Sequence, residues 1–227
     1  MTKEYGRTLE IGPTDLTSEK RTPRHPLHLI PDAARASFAP YAPYTFNAIA
    51  AEADMTRIAP NRPQADGDAI KVTGRITDQY GKPIRNSLIE VWNANKYGRY
   101  THIEDFSGLQ LDPNFLGIGR IISDDNGNYE FWTIRPGEYL AFPDISRWRP
   151  KHIHFSIRGG ASRLITQMYF KDDPHNDTDP MRILMGDNFD ANIGEEFETP
   201  GDDFDCGYKF DIVIGGNNPT FFENDVE

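Results

Sequence analysis

From Ala69 onward polar and apolar residues alternate along the chain. Ile70, Val72, Gly74 and Ile76 stand against Lys71, Thr73, Arg75 and Thr77, the period-two signature of a strand with one buried face. The segment DQYGKPIRN over 78–86 carries turn residues, and LIEVW, Leu88 to Trp92, opens a second strand. RIISD, the turn DDNGN and NYEFWTI read together as a β-hairpin, because Asn126-Gly127 suits a tight reversal. Arg135-Pro136-Gly137 interrupts the pattern. HIHFSI and LITQMYF then supply two more strands, and YKFDIVIGG closes the set. Short strands separated by turn signals predict an all-β domain, an antiparallel β-sandwich or barrel with long loops.

The first 66 residues are different. They hold Pro13, Pro23, Pro26, Pro31, Pro40, Pro43, Pro60 and Pro63 and show little periodicity. An extended Pro-rich N-terminal arm is expected over 1–66, packing on the core or on a neighbouring subunit, with the catalytic β-sandwich over 67–227. Ala-rich stretches within 32–57 allow one or two short helices. Phe38, Tyr41, Tyr44 and Phe46 argue against a disordered leader. Between Lys171 and Gly207 lies an excursion rich in acid, including Asp172, Asp173, Asp177, Asp179, Asp187, Asp190, Glu195, Glu196 and Glu198. Its simplest reading is a solvated loop.

Composition narrows the function. The 227 residues carry a formal net charge of -11, which argues against nucleic acid or an anionic membrane surface as a main partner. Cys206 is the lone cysteine, so intrachain disulfides and multi-thiolate metal sites are excluded, and a reducing cytoplasm is the expected setting. The opening MTKEYGRTLEIG lacks the apolar centre of a signal peptide, and no apolar run is long enough for a membrane span.

Candidate chemistry is densest in WRPKHIHF, Trp148 to Phe155. On a strand His152 and His154 share one face, while Ile153, Phe155 and Ile157 take the other and can enter the core. An H-x-H pair alone also fits surface or core-satisfied histidines. Tyr100, ending VWNANKYGRY, and Tyr139, in RPGEY, each also fit as core aromatics. Taken together, two imidazoles and two phenols suit ferric iron, a hard cation that prefers anionic oxygen. Two phenolates and a hydroxide would balance three positive charges in an apolar cavity, where uncompensated charge is costly. A two-His, one-carboxylate set would suit Fe(II) instead.

EVWNANKYGRY, LDPNFLGIGR, NGNYEFWTIRPGEY, WRPKHIHFSI and LITQMYF resemble, in order and spacing, the intradiol ring-cleaving dioxygenases. The likeness is nearest to the beta chains of the protocatechuate-cleaving branch and runs from Ile70 to the C-terminal YKFDIV. It implies a β-sandwich holding non-haem Fe(III) through Tyr100, Tyr139, His152 and His154. It also implies a catechol-type substrate and O2, with the ring opened between its two oxygenated carbons to a muconate-type dicarboxylate. In the family the tyrosine at the place of Tyr139 leaves the metal and serves as a base. Arg149 would lie near the bound ring and stabilise developing negative charge; the residue type equally fits a structural arginine paired with a carboxylate. Gln167, alternating with Ile165 and Tyr169, matches an active-site glutamine. Trp92 matches a pocket-wall tryptophan and also fits a strand-end core aromatic.

Leu140-Ala141 stand where that branch has Pro-Trp beside the pocket, and Asp15-Leu16 stand near the place of a pocket tyrosine. Both changes, with Phe142 nearby, bear on the substrate. Protocatechuate is the first expectation, followed by hydroxyquinol, gallate or another dihydroxybenzoate. The resemblance further implies a homo-oligomer or a hetero-oligomer with a related alpha chain. Two other readings stay open. A transthyretin-like binding module shares the flavour of GRITDQYGKPIRNSLIEVW and DDNGNYEFWTIRPGEY, but lacks the H-x-H and the first tyrosine. A cupin-like Fe(II) or Zn(II) site needs an acid shortly after the H-x-H, and SIRGGASRLITQMYF offers none.

Overall fold

The computed structural model describes residues 52–103, 105–142, 147–158, 163–199, 204–215 and 220. Among them run β1 (Ala69–Asp78), β2 (Leu88–Asn93), β3 (Ile118–Ile122), β4 (Asn128–Ile134), β5 (Tyr139–Phe142), β6 (Arg147–Arg149), β7 (His152–Arg158) and β8 (Arg163–Tyr169). A short helix α1 (Pro180–Met185) follows, then β9 (Glu195–Phe197), β10 (Cys206–Lys209) and β11 (Ile212–Ile214).

β1 is the spine of the first sheet. One edge pairs antiparallel with β4, from Ala69↔Ile134 to Arg75↔Asn128. The other edge runs parallel with the C-terminal segment, Ile70↔Cys206 in β10 and Ile76↔Ile212 in β11. These two strands keep one register, so YKFDIVIGG is a single strand interrupted at Phe210–Asp211. There the Phe210 carbonyl accepts the Tyr129 hydroxyl and the Asp211 carboxylate accepts the Arg75 N–H. The second sheet has the order β3-β2-β7-β8 and is antiparallel throughout. β5 and β6 form a separate small hairpin.

The inner faces of the sheets meet in one core. Ile70, Val72 and Ile76 of β1 and Phe131 of β4 pack with Ile89 and Val91 of β2 and Ile153, Phe155 and Ile157 of β7. Phe155 is fully buried, with its ring 5.2 Å from Phe210, 5.8 Å from Phe131 and 6.0 Å from Tyr129. Burying each such side chain is worth about 1.5–3 kcal/mol. The chain is therefore an all-β sandwich with long loops.

Two expectations about pairing change. The sheet containing β1 is mixed rather than antiparallel, which the long connections permit. The segments joined by DDNGN are not a hairpin. The turn itself closes, with Asp124 N–H on Asn128 C=O at 2.9 Å and Gly127 N–H on Asp124 C=O at 3.0 Å. But β3 then pairs with β2 and β4 with β1. The turn is a corner between layers, and Ile121 and Phe131 enter the same core from facing sheets. Turn chemistry specifies the reversal and leaves the choice of edge to the core.

Residues 53–55 lie along β4. Met55 N–H donates to Trp132 C=O and Trp132 N–H to Ala53 C=O, both at 2.8 Å, and Met55 is fully buried in the core. The remaining features expected for the arm, including the aromatics Phe38 to Phe46 and Asp15-Leu16, fall outside the described residues. The acidic excursion also differs from a simple solvated loop. Asp172, Asp177, Asp190 and Glu195 are exposed, yet Asp173 and Asp179 are buried. Among the described residues no helix is long and apolar enough to cross a membrane.

Candidate metal centre

The two faces of β7 divide its work. Odd residues Ile153, Phe155 and Ile157 fill the core, so even residues His152 and His154 stand on the outer face of the second sheet. Cross-strand register brings Trp92 of β2 and Gln167 of β8 to either side of His154, and Tyr169 beside His152. The Trp92 ring stacks on the His154 imidazole with centroids 4.8 Å apart and planes 3° from parallel. The tryptophan thus holds the plane of that imidazole.

The tyrosines arrive on loops. Asn95 Oδ1 accepts the backbone N–H of Tyr97 at 2.9 Å and of Arg99 at 3.0 Å, forming a tight turn ahead of Tyr100. Asp105, almost wholly buried, accepts Tyr100 N–H at 2.7 Å and both the N–H and the hydroxyl of Ser107, at 2.9 and 2.5 Å. Tyr139 begins β5, paired with Arg149 of β6. The two loops touch because both are glycine at the crossing. Gly98 has φ +78°, and a Cβ there would sit 1.8 Å from Glu138 C=O; one on Gly137 would sit 2.3 Å from Lys96 C=O. Gly137 N–H donates to Asn95 C=O at 2.9 Å. As a result the Tyr100 and Tyr139 rings meet edge to face, centroids 4.8 Å apart at 89°.

Three donor atoms converge. Tyr100 Oη lies 3.2 Å from His152 Nε2, which lies 3.1 Å from His154 Nε2. Pro150 C=O can only accept, so His152 Nδ1, at 2.6 Å from it, carries the proton and Nε2 presents its lone pair. Burial, reinforced by the Arg149 charge, pushes the His152 pKa down to about 3 and keeps the ring neutral. Separations near 3 Å are what atoms show when they share one ion about 2.1 Å from each. Among the described residues no three His, Cys, Asp or Glu side chains gather around an ion, so a cation here would draw on phenol oxygen. This donor set fits ferric iron. Burial, then the Asp105 charge, raises the Tyr139 pKa, while Arg149 and Arg99 oppose them. Its phenol keeps its proton unless a cation compensates the charge.

Beside the imidazoles lies a second network. Arg149 Nη2 donates to Gln167 Oε1 at 2.8 Å, Tyr169 Oη at 3.2 Å and Asp179 Oδ2 at 3.0 Å, and Nε donates to Asp179 Oδ1 at 3.2 Å. The Tyr169 hydroxyl donates to Gln167 Oε1 at 2.9 Å. Burial works against the guanidinium charge, and Asp179 more than offsets it, leaving Arg149 more firmly protonated than usual. Arg149 is thus both the carboxylate-paired arginine and a neighbour of Gln167. The structure brings together Trp92, Tyr100, Tyr139, Arg149, His152, His154 and Gln167. Three contributors escaped the sequence reading: Asp105, Tyr169 and Asp179. Asp179-Pro180 does carry a helix-start signature, but nothing local says that the cap faces Arg149.

These features define a class. A dioxygenase family model matches residues 41–216, and the chain belongs to the intradiol ring-cleaving dioxygenases, enzymes of the oxidoreductase class. The protocatechuate 3,4-dioxygenase beta chain of Burkholderia cepacia is 39% identical over 224 residues, covering 94% of this chain and 92% of that one. A chlorocatechol 1,2-dioxygenase of Rhodococcus opacus is 35% identical over 133 residues, 53% of this chain and 50% of that protein. Among solved structures, hydroxyquinol 1,2-dioxygenase from Pseudomonas putida DLL-E4 superposes with a TM-score of 0.56 at 24% identity, covering 78% of this chain and 64% of that one. The 3-chlorocatechol 1,2-dioxygenase of Rhodococcus opacus 1CP gives 0.55 at 22% identity, covering 80% and 76%. At those identities the superpositions speak for the shared fold.

Proposed function

We propose that this chain is a non-haem Fe(III) enzyme that opens a substituted catechol, protocatechuate first, between its two hydroxyls with O2. The observation that carries the reading is that His152 Nε2 lies 3.2 Å from Tyr100 Oη and 3.1 Å from His154 Nε2, with the Tyr139 ring edge-on to Tyr100. Tyr100, Tyr139, His152 and His154 would hold the metal. Bound ferric iron would supply the Lewis acidity that favours a doubly ionised catechol and makes its ring carbon reactive toward O2.

The protein residues supply the rest. Because Tyr139 favours its protonated form, its Oη is suited to take up a substrate hydroxyl proton as the catechol binds. Arg149 keeps its charge under burial, so its guanidinium can stabilise negative charge developing on the ring. Gln167 Oε1 accepts hydrogen bonds from Arg149 Nη2 and from the Tyr169 hydroxyl and so holds the two together. Trp92 supports the His154 plane and forms one wall of the site. The near full-length likeness to a protocatechuate 3,4-dioxygenase beta chain supports the substrate and a hetero-oligomer with a related alpha chain. The single cysteine supports a cytoplasmic setting.

Purified protein loaded with iron should show a broad visible tyrosinate-to-iron charge-transfer band, absent from a colourless metal-free sample. Oxygen uptake across protocatechuate, hydroxyquinol, gallate and catechol, with product identification, then ranks the substrates. A product opened beside the hydroxyls would refute the intradiol reading. Fastest turnover of hydroxyquinol or gallate would replace protocatechuate as substrate, as the Leu140-Ala141 departure makes reasonable.

A further inference from the structure

The acidic excursion after β8 contributes a buried carboxylate to the site. Asp179 is fully buried and does two jobs. Its Oδ1 accepts the Met181 N–H at 3.2 Å, capping α1, and its two oxygens bridge Arg149 Nε and Nη2 at 3.2 and 3.0 Å. The segment that carries it is bolted to the strand that carries Gln167. Asn192, also fully buried, donates to Thr166 Oγ1 at 2.8 Å and to Gln167 C=O at 2.7 Å. Gly194 N–H donates to Tyr169 C=O at 2.9 Å, and the Tyr169 and Phe189 rings pack with centroids 4.7 Å apart. Helix, β8 and the Arg149 hairpin are therefore tied at one point.

We infer that Asp179 is a positioning residue: its carboxylate orients the Arg149 guanidinium against Gln167 and Tyr169, so that Nη1, which takes part in none of those four bonds, is presented to the substrate. The inference rests on the proposed ring-opening reaction. A planar fork gripped along its Nε–Nη2 edge leaves the two N–H bonds of Nη1, fixed in the same plane, for donation. Without the carboxylate, Nη2 keeps only two neutral acceptors, and the guanidinium can turn. A misplacement of about 1 Å at a reacting centre is enough to cost about a hundredfold in rate.

Asp179→Asn is the informative variant, because Asn caps a helix about as well as Asp while lacking the charge. The iron-loaded variant should retain its visible band and iron content, since neither Asp179 nor Arg149 is among the four side chains proposed to hold the iron. Its kcat should fall roughly ten- to a hundredfold with KM changed less than about threefold. Adding Asp179→Asn to Arg149→Gln should change turnover less than twofold, because the carboxylate acts through the arginine. Turnover of Asp179→Asn within twofold of the parent, or a full multiplicative loss in the Arg149→Gln background, would overturn the inference. Should Asp179→Asn alone not fold, because it leaves a buried guanidinium unpaired, the comparison of Arg149→Gln with the neutral double variant decides by the same criterion. A parent protein that binds iron without the band, or opens no catechol, would instead remove the underlying reaction.

Discussion

Gly98→Ala should separate the two tyrosine loops. A Cβ at this position would lie 1.8 Å from Glu138 C=O, where ordinary contact begins near 3.4 Å, so the loops must part by about 1.5 Å. The left-handed backbone, φ +78°, costs an L-residue about 1–2 kcal/mol. Forcing the loops apart adds about 1–3 kcal/mol, as overpacking does elsewhere. A total near 2–5 kcal/mol should appear in urea unfolding of the metal-free protein. Gly108→Ala is the matched control. It has φ +70° and nothing within 4 Å of its added methyl, so it should lose only about 1–2 kcal/mol. In the iron-loaded protein the Gly98 variant should shift or weaken the visible band, because Tyr139 no longer sits edge-on to Tyr100, while the Gly108 variant should leave it alone. Equal destabilisation in both variants, with the same unaltered band, would refute the claim that close backbone approach sets the spacing of the phenols.

Other expectations follow from the same geometry. His152 is neutral in the fold, with a pKa pushed down to about 3 chiefly by burial, whereas the unfolded chain protonates near 6.5. Stability of the metal-free protein should therefore fall as pH drops below about 6.5 and level off near 3, by up to about 1.4 kcal/mol per pH unit, and His152→Gln should remove that increment from urea titrations run across the range. Asp105→Ala strips the acceptor from Tyr100 N–H and Ser107 and the partner from Arg99. It should cost about 2–4 kcal/mol and speed iron loss to a chelator, and an unchanged chelation rate would count against its role in holding Tyr100. Phe155→Ala, in the middle of the aromatic core, should lower unfolding free energy by about 3–5 kcal/mol in a denaturant titration.

Much of the site was legible in the chain because strand alternation is a local rule. His152 and His154 against Ile153, Phe155 and Ile157 could be assigned to opposite faces before any contact was known. Gln167 was singled out by its match to a family glutamine, since strand alternation alone would leave it an ordinary polar residue. Tyr100 and Tyr139 were recognisable by motif, but their edge-on meeting depends on a crossing of backbones at Gly98 and Gly137 that no local pattern announces. The Asn126-Gly127 turn formed as its residues require, while its two arms joined different sheets, since edge choice is decided by burying Ile121 and Phe131 together. The parallel pairing of the C-terminal strand with β1 and the burial of Asp179 share that origin. Each joins segments far apart in sequence, where charge and periodicity carry no address. An acidic stretch looks solvated until one carboxylate meets its arginine.

The division of β7 into a core face and a chemical face has a further result. The imidazole pair is anchored by the sandwich interior, whereas the phenols, the guanidinium and its counter-ion ride on three separate connections. Those connections lock onto one another, the first two where Gly98 meets Glu138 and the last two where Asp179 meets Arg149, so a change in one must be matched in its neighbour. A single residue inserted inside the strand, between Ile153 and His154, is another matter: with His152 and Ile153 held in place, His154 would turn inward and Phe155 outward.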